Sequence, residues 1–251
     1  MGKPILKAYY RNIFFEFLVH PDKRDAIIIL PGFPSSNVMD DIIYFFYEKG
    51  FNVFVPRYPG SYQSKGQFLK TNPITDLLKF IDQLKKGKAV SLWDDNEISF
   101  EISKIFVFGG SFGGSVALAL ATGSKGASKV VLISPVWDFK EHNKQHNEQD
   151  LDSMTCFVKK AYKNLYRYQF NSLVQTVSRF KEFSPKYYLN KLNTPILVFH
   201  DPDDKSVSIN HSRDIKKVIK DIQIVESDTG HGLSIKLLNK YFDKIKSFLE
   251  S

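Results

Sequence analysis

The strongest structural signal in the sequence is Lys104-Ile105-Phe106-Val107-Phe108-Gly109-Gly110-Ser111-Phe112-Gly113-Gly114-Ser115-Val116-Ala117-Leu118-Ala119. It begins as a short apolar run, typical of a buried strand, and ends as a run of small and apolar residues, typical of a helix. Between them a serine has a glycine two residues before it and another two residues after it, Gly109-x-Ser111-x-Gly113. A strand that turns directly into a helix strains the residue at the turn and brings its neighbours together, so glycines avoid a clash there. The pattern predicts a sharp turn that holds the Ser111 hydroxyl above the sheet edge as a nucleophile.

The whole chain has a composition that is ordinary for a soluble globular protein. It has 251 residues, of which 43% are hydrophobic and 25% charged, enough for one large domain or two small ones. No apolar run approaches the ~20 residues of a membrane helix, so we expect no stable membrane insertion. The start of the sequence shows no signal-peptide pattern, and we expect a cytoplasmic protein.

The charge and the single cysteine exclude few functions. The net charge is +8, but the basic residues are scattered and no nucleic-acid motif is present, so we expect no nucleic-acid partner. Cys156 is the only cysteine, which excludes an internal disulfide. It lies in an apolar stretch with helical spacing, which predicts a core position. No spacing of His, Cys and Asp indicates a metal site.

Strands and helices alternate along the first half of the chain. Residues 5–19 indicate an antiparallel pair at a sheet edge, and uniformly apolar runs at 26–30, 52–55, 104–108 and 129–133 indicate strands buried on both faces. Helices are expected between them, one of them capped by Ser36 or Asn37. Residues 87–103 are interpreted as a polar surface connector. This alternation predicts a doubly wound, mostly parallel sheet.

The alternation stops at residue 136 and resumes at 195. The residues between contain an aromatic-rich helical stretch, and an interruption between two core strands should emerge at one end of the sheet. We therefore expect a core of residues 1–135 and 195–251, with residues 136–194 inserted as a helical cap. Strands at 195–199 and 222–226 and a closing helix complete the expected core.

A serine hydroxyl needs a base, normally histidine, oriented by a carboxylate. The sequence supplies Ser111, then Asp204 after the strand 195–199, then His231 after the last strand. This is the order Ser, acid, His. The alternatives for the acid are Asp201 and Asp203 in the same loop and Asp138 after the preceding strand. Of the other histidines, His200 is expected at a strand end, and solvent exposure is expected for His20, His142, His146 and His211.

These motifs resemble those of the α/β-hydrolase superfamily over nearly the whole chain. Pro31-Gly32-Phe33-Pro34 resembles the family's oxyanion loop, although Pro31 replaces the usual His. His200 to Val207 resembles the acid-bearing segment, although Asp201 replaces the usual Gly, and Gly230-His231 resembles the histidine loop. Gly109 to Gly114 resembles the family's nucleophile elbow, the turn that carries the serine. Its Gly-Gly-Ser-Phe-Gly-Gly form and the loop from Tyr58 to Gly66 resemble the prolyl-oligopeptidase-like and dienelactone-hydrolase-like branch. The resemblance implies an α/β-hydrolase fold with an eight-stranded, mostly parallel sheet and helices on both faces.

The resemblance also implies a function. We expect a serine hydrolase that cleaves carboxylic esters through an acyl-enzyme, with Ser111, Asp204 and His231 as the triad and no cofactor. The backbone N–H groups of Phe33 and Phe112 are expected to form the oxyanion hole. The expected partner is a small acyl ester or a short peptide. The alternatives are a peptidase or amidase of the prolyl-oligopeptidase type, a thioesterase or acyltransferase, and a non-catalytic binding protein on a hydrolase scaffold.

Overall fold

The fold is seen in a computed structural model of the chain. It describes residues 3–36, 38–122, 126–139, 151–168, 184–187, 192, 194–219 and 222–251. The strands of the described residues are β1 (Leu6–Tyr10), β2 (Ile13–Leu18), β3 (Arg24–Leu30), β4 (Asn52–Pro56), β5 (Lys88–Val90), β6 (Glu97–Ser99), β7 (Ile102–Gly110), β8 (Lys129–Ile133), β9 (Ile196–His200) and β10 (Gln223–Glu226). Their α-helices are α1 (Asp40–Glu48), α2 (Pro73–Leu84), α3 (Phe112–Ala121), α4 (Leu151–Ala161), α5 (Ile209–Val218) and α6 (Ile235–Glu250).

Eight of these strands form one sheet in the order β1-β2-β4-β3-β7-β8-β9-β10. β1 and β2 pair antiparallel at one edge, and β2 pairs antiparallel with β4. Every other neighbouring pair is parallel. The prediction of an eight-stranded, mostly parallel sheet with an antiparallel edge is confirmed. Since β3, β7, β8, β9 and β10 run the same way, the loops that follow them meet at one edge of the sheet.

Helices cover both faces of the sheet, as expected from strands that are apolar throughout. Ile27 and Ile29 of β3 pack in one core cluster, which includes buried residues of α1 and α6. Ile28 and Leu30 belong to the other cluster, which includes buried residues of α2, α3 and α5. Successive side chains of a strand point to opposite faces, so a strand between two helix layers must be apolar at every position.

The fold differs from the expectation in two places. Residues 87–103 are more than a connector, because β5 and β6 pair antiparallel within them and form a two-stranded hairpin. Its exposed Lys88 and Glu97 are joined by a 2.7 Å ion pair, a link that an apolar pattern cannot reveal. The first helix begins at Asp40 after Met39, whose side chain makes no capping hydrogen bond, so Ser36 is not the cap. Asn37 lies outside the described residues.

Between β8 and β9 the described residues include α4 and two short 3₁₀ helices, at Lys163–Leu165 and Pro185–Tyr187. The core position expected for Cys156 is wrong, because its side chain is exposed. Thr155 and Val158 are buried instead, and the adjacent Cys156 faces outward from the same helix. The division into a core and a cap at residues 136–194 stays a prediction, since residues 140–150 and 169–183 lie outside the described part.

Candidate active site

The turn between β7 and α3 places Ser111 at the sheet edge. Ser111 has φ 53° and ψ −122°, a backbone conformation that residues other than glycine rarely adopt. Glycine is required on both sides. A Cβ on Gly109 would lie 2.2 Å from the carbonyl oxygen of Gly113, and a Cβ on Gly113 would lie 2.2 Å from that of Leu30. The strained serine is therefore held by a backbone packing that only glycine at these two positions permits.

Asp204 and His231 meet above the ends of β9 and β10. The Nδ1 of His231 lies 2.7 Å from Oδ2 of Asp204. Because a carboxylate oxygen can only accept, Nδ1 carries the proton and Nε2 keeps its lone pair. The Asp204 side chain is fully buried, whereas that of His231 is 32% exposed. The carboxylate thus fixes the tautomer that a general base needs.

The environment of Asp204 keeps its carboxylate ionised. Burial by itself raises the pKa of Asp204, but the hydrogen bond and the charge of His231 lower it, and so does the amide of Val207. The net result is a pKa lowered from 3.8 to about 2. Oδ1 accepts the backbone N–H groups of Ser206 at 2.8 Å and Val207 at 3.0 Å, which also fixes the plane of the carboxylate.

The alternative acids have other contacts. Asp201 is buried and its Oδ2 accepts the backbone N–H of Gly230 at 2.7 Å, directly before His231. Its Oδ1 accepts the N–H of Asp203, which is itself exposed. Asp138 is buried and pairs with Lys186 at 3.0 Å. Asp201 thus holds the histidine loop, a role that sequence reasoning missed. The departure from the family's usual glycine at position 201 was its only signal.

Other histidines in the described part of the chain make hydrogen bonds within the protein. His200 is fully buried at the end of β9, as predicted, and burial lowers its pKa. Its Nε2 donates to the carbonyl of Val207 at 2.8 Å, and its Nδ1 accepts from the hydroxyl of Ser212 at 2.7 Å. The solvent exposure expected for His211 is wrong, because it is buried and its Nδ1 accepts the N–H of Trp137 at 2.9 Å. His142 and His146 lie outside the described residues.

A cavity of about 320 Å³ joins Ser111 and His231. One wall is the loop after β3, where a Cβ on Gly32 would lie 3.5 Å from the Cβ of Ser111. Apolar side chains supply much of the remaining lining, which includes Met39, Met154 and Leu233. Ser111, the histidine and the loop expected to stabilise an oxyanion therefore open into one cavity with both polar and apolar walls.

The residues expected to form the oxyanion hole flank this cavity. Phe112 is the first residue of α3, where backbone N–H groups have no partner within the helix and the helix dipole is positive. Phe33 lies in the loop after β3 with its ring centroid 4.8 Å from that of Tyr166 and 6.1 Å from that of Phe112. The two residues are thus side by side, and both rings are buried.

Two further findings concern the described residues only. They contain no group of three or more His, Cys, Asp and Glu side chains that could hold a metal ion. None of the helices seen in the described part of the chain is long and apolar enough to cross a membrane.

The geometry can be compared with known proteins. A sequence model described as "Serine aminopeptidase, S33" matches residues 21–193, well over half of the chain. The chain belongs to this family. The S33 match includes Ser111 and ends before Asp204 and His231. No significant match was found among curated protein sequences.

Solved structures similar to this S33 chain are α/β-hydrolases. DcsB in complex with its substrate analogue has a TM-score of 0.73 at 16% identity, over 98% of both chains. The Pyrococcus furiosus esterase Pf2001 has a TM-score of 0.66 at 16% identity, over 98% of this chain and 91% of the other. An acylaminoacyl peptidase in complex with Z-Gly-Gly-Phe-chloromethyl ketone has a TM-score of 0.68 at 15% identity, over 99% of this chain and 41% of the peptidase. At these identities the likeness shows the fold.

The predicted superfamily is confirmed, and fold and family together make the chain a hydrolase of the esterase or peptidase type.

Proposed function

We propose that this protein is a serine hydrolase that cleaves small carboxylic esters through an acyl-enzyme. The observation that carries the proposal is the 2.7 Å hydrogen bond from His231 to Asp204 at the mouth of the cavity that contains Ser111. The bond leaves the lone pair of Nε2 available as a base. The strained turn supplies the nucleophile in the same cavity.

The proposed reaction has two halves. Ser111 attacks the ester carbonyl while Nε2 of His231 takes its proton, and the imidazolium then protonates the leaving alcohol. A water molecule activated by the same nitrogen releases the acid. In both halves the negative charge on the carbonyl oxygen is stabilised by the N–H groups of Phe33 and Phe112. One such donor is worth roughly 3–4 kcal/mol in the transition state. Asp204 stays ionised and stabilises the imidazolium.

The cavity supports a small, apolar acyl group as substrate. Its volume of about 320 Å³ lies at the low end of the range of about 300–1,000 Å³ for ligand pockets. Met39 and Met154 line it, and methionine is a flexible apolar side chain that adapts to irregular shapes. We expect acetyl to butyryl esters to react faster than octanoyl esters.

The second candidate is an aminopeptidase or amidase. The description of the matching family as a serine aminopeptidase favours it, as does the similarity to a peptidase solved with a peptidyl chloromethyl ketone. The same nucleophile, base and oxyanion donors serve ester and amide hydrolysis. The two activities differ in the leaving group, since an amine must be protonated before it leaves.

The experiment compares three butyryl substrates with different leaving groups and one aminoacyl substrate. The purified protein is assayed with the p-nitrophenyl ester, the thioester and the p-nitroanilide of butyric acid and with leucine p-nitroanilide. The variants are Ser111→Ala and, as a matched control, Ser99→Ala, whose serine lies exposed in the remote hairpin. We expect the ester to be the best substrate, Ser111→Ala to abolish its turnover and Ser99→Ala to retain it. Faster turnover of leucine p-nitroanilide would favour the aminopeptidase, and a preferred thioester would favour a thioesterase.

A further inference from the structure

Three tyrosine hydroxyls hold the loop that follows β3. We call residues 31–35 the oxyanion loop, after the role proposed for it. Tyr58 donates its hydroxyl proton to the carbonyl of Pro31 at 3.0 Å, and Tyr62 donates to the carbonyl of Ser35. The N–H of Ser35 donates to the hydroxyl oxygen of Tyr166 at 3.1 Å. The residue Ser35 is therefore held at its N–H and at its carbonyl by two different side chains.

The tyrosines belong to two segments that pair with each other. Tyr58 and Tyr62 follow β4, whereas Tyr166 lies after α4 in the insertion between β8 and β9. A β-bridge joins Ser61 to Tyr166. The N–H of Tyr62 donates to the carbonyl of Leu165 at 2.6 Å, and the N–H of Arg167 donates to the carbonyl of Gly60 at 2.8 Å. This main-chain pairing fixes Tyr62 and Tyr166 relative to each other.

Side chains tighten the same pairing. The guanidinium of Arg167 donates from Nη1 to the carbonyl of Tyr62 at 2.9 Å and from Nη2 to the carbonyl of Ser64. The ring centroids of Tyr62 and Tyr166 are 5.6 Å apart at an interplanar angle of 80°. Tyr166 also packs edge-on against Phe33, with centroids 4.8 Å apart. The insertion thus contacts the oxyanion loop through a hydrogen bond and through a ring contact.

These phenols remain protonated at all ordinary pH values. Burial raises the pKa of Tyr62 to about 12 and raises the pKa of Tyr58 and of Tyr166 well above the usual value. Tyr58 and Tyr166 are only 2% and 5% exposed, so water does not compete freely for their hydroxyls. The contacts are thus fixed features of the folded protein, and no titration near neutrality breaks them.

We propose that Tyr62 and Tyr166 are positioning residues that hold the oxyanion loop, so that the insertion helps to shape the oxyanion hole through Tyr166. The inference rests on the proposed function, since it requires the N–H of Phe33 to be a donor of the oxyanion hole. Neither tyrosine touches the reacting atoms. They act through the Ser35 backbone, two residues from Phe33.

The physical reason is the geometric demand of an oxyanion hole. Its donors must lie about 2.7–3.1 Å from the oxygen as it becomes negative, and a displacement of about 1 Å can cost roughly 100-fold in rate. Loss of either tyrosine hydroxyl would remove a hydrogen bond to the Ser35 backbone and let the loop tilt. An interaction made mainly in the transition state affects kcat more than KM.

The kinetic test uses Tyr62→Phe, Tyr166→Phe and the double variant, each of which removes a hydroxyl and keeps the ring. The matched control is Tyr9→Phe, because Tyr9 donates to the carbonyl of Gln63 at 2.8 Å and so contacts the neighbouring loop but not the oxyanion loop. We expect each single variant to lose about tenfold in kcat with KM within about twofold. The double variant should lose less than the product of the two, because both side chains hold the same residue.

A second readout separates positioning from a general structural defect. In a thiono ester, sulfur replaces the carbonyl oxygen and accepts hydrogen bonds weakly, so it gains little from the oxyanion donors. If the tyrosines position those donors, the ratio of oxo-ester to thiono-ester turnover falls in Tyr62→Phe and Tyr166→Phe and is unchanged in Tyr9→Phe. An equal loss for both substrates would overturn the inference.

Hydrogen exchange of the peptide that contains residues 31–36 provides a readout without activity. Tyr166→Phe removes the acceptor of the Ser35 N–H, so its exchange should accelerate, whereas Tyr9→Phe should leave it unchanged. Unchanged exchange in Tyr166→Phe would also overturn the inference. A folded wild-type protein that cleaves none of the esters would refute the proposed function instead, and exchange alone would then decide whether the tyrosines hold the loop.

Discussion

The Nδ1–H of His231 donates to Oδ2 of Asp204 across 2.7 Å, although 26 residues of chain separate them and each comes from a different loop. The loops meet because β9 and β10 are parallel neighbours, so both end at the same edge of the sheet. Asp201 adds a second link by accepting the N–H of Gly230 at 2.7 Å. One carboxylate therefore holds the ring of His231, and another holds the backbone of the residue directly before it.

The first prediction concerns the tautomer of His231. Asp204→Asn should lower kcat for ester hydrolysis by about 10⁴-fold, because an amide in place of the carboxylate can impose the wrong tautomer on the ring. Steady-state kinetics with p-nitrophenyl butyrate measure the loss. The control is Asp203→Asn, which alters an exposed carboxylate of the same loop. Equal activity of Asp204→Asn and Asp203→Asn would contradict the assignment of Asp204.

The second prediction concerns stability in acid. The folded-state pKa of Asp204 is about 2 against an ordinary value of 3.8, so its charge stabilises the fold fully above about pH 4, and this contribution is lost as the pH falls through about 2. The contribution is on the order of 2 kcal/mol. Urea unfolding of wild type and Asp204→Asn at several pH values tests it. The difference in unfolding free energy should shrink between pH 4 and pH 2, and a constant difference would be inconsistent with the lowered pKa.

The third prediction compares Gly113, at the turn between β7 and α3, with Gly32 in the oxyanion loop. Gly113→Ala should be strongly destabilising, because its Cβ would lie 2.2 Å from the carbonyl oxygen of Leu30. Gly32→Ala should change the unfolding free energy by less than about 1 kcal/mol, since its nearest contacts are at an ordinary 3.5 Å. Chemical denaturation measures both. A tolerated Gly113→Ala would mean that β3 and α3 lie further apart than described.

The fourth prediction concerns strain at Ser111, with φ at 53°. Alanine keeps the strain of the serine, whereas glycine relieves it. Ser111→Gly should therefore be more stable than Ser111→Ala by roughly 1–2 kcal/mol, the reverse of the usual order for these residues. Thermal and urea unfolding of the two variants give the comparison. If alanine proved the more stable, the turn would not be strained.

The fifth prediction concerns the acyl chain. Met154 of α4 lines the cavity with Met39, and a larger side chain there should shorten the space for the acyl group. Met154→Trp should lower kcat/KM for p-nitrophenyl octanoate at least tenfold more than for the acetate. A control is Phe157→Trp, at an exposed position of the same helix, which should leave the ratio unchanged. If Met154→Trp also left it unchanged, the acyl group would lie elsewhere.

Much of the fold could be predicted because its central strands are buried on both faces. Runs such as 26–30 and 129–133 are uniformly apolar, and the structure places strands at β3 and β8 over the same residues. The glycines around Ser111 mark the elbow because backbone atoms occupy the space of any side chain there. Such features depend on residues that are neighbours in the chain, so they can be recognised in a single sequence.

What the sequence did not reveal depends on contacts between distant segments. From the sequence alone Asp201 is interpreted as a turn residue, because its partner Gly230 lies in a loop that is distant in the sequence. His211 lies on a polar helix, which predicts an exposed side chain, yet its Nδ1 accepts the N–H of Trp137, 74 residues earlier. Tyr62 and Tyr166 likewise hold Ser35 from two segments of the chain. The triad of Ser111, Asp204 and His231 stays a prediction, and the geometry supports it.

Labelling by a fluorophosphonate, which reacts only with an activated serine, asks whether Ser111 is the nucleophile. Wild type, Ser111→Ala and His231→Ala are incubated with the probe, and intact mass and peptide mapping locate the adduct. We predict one adduct per chain on Ser111 in the wild type and none in either variant. A folded wild type without an adduct, or with an adduct on another residue, would contradict it.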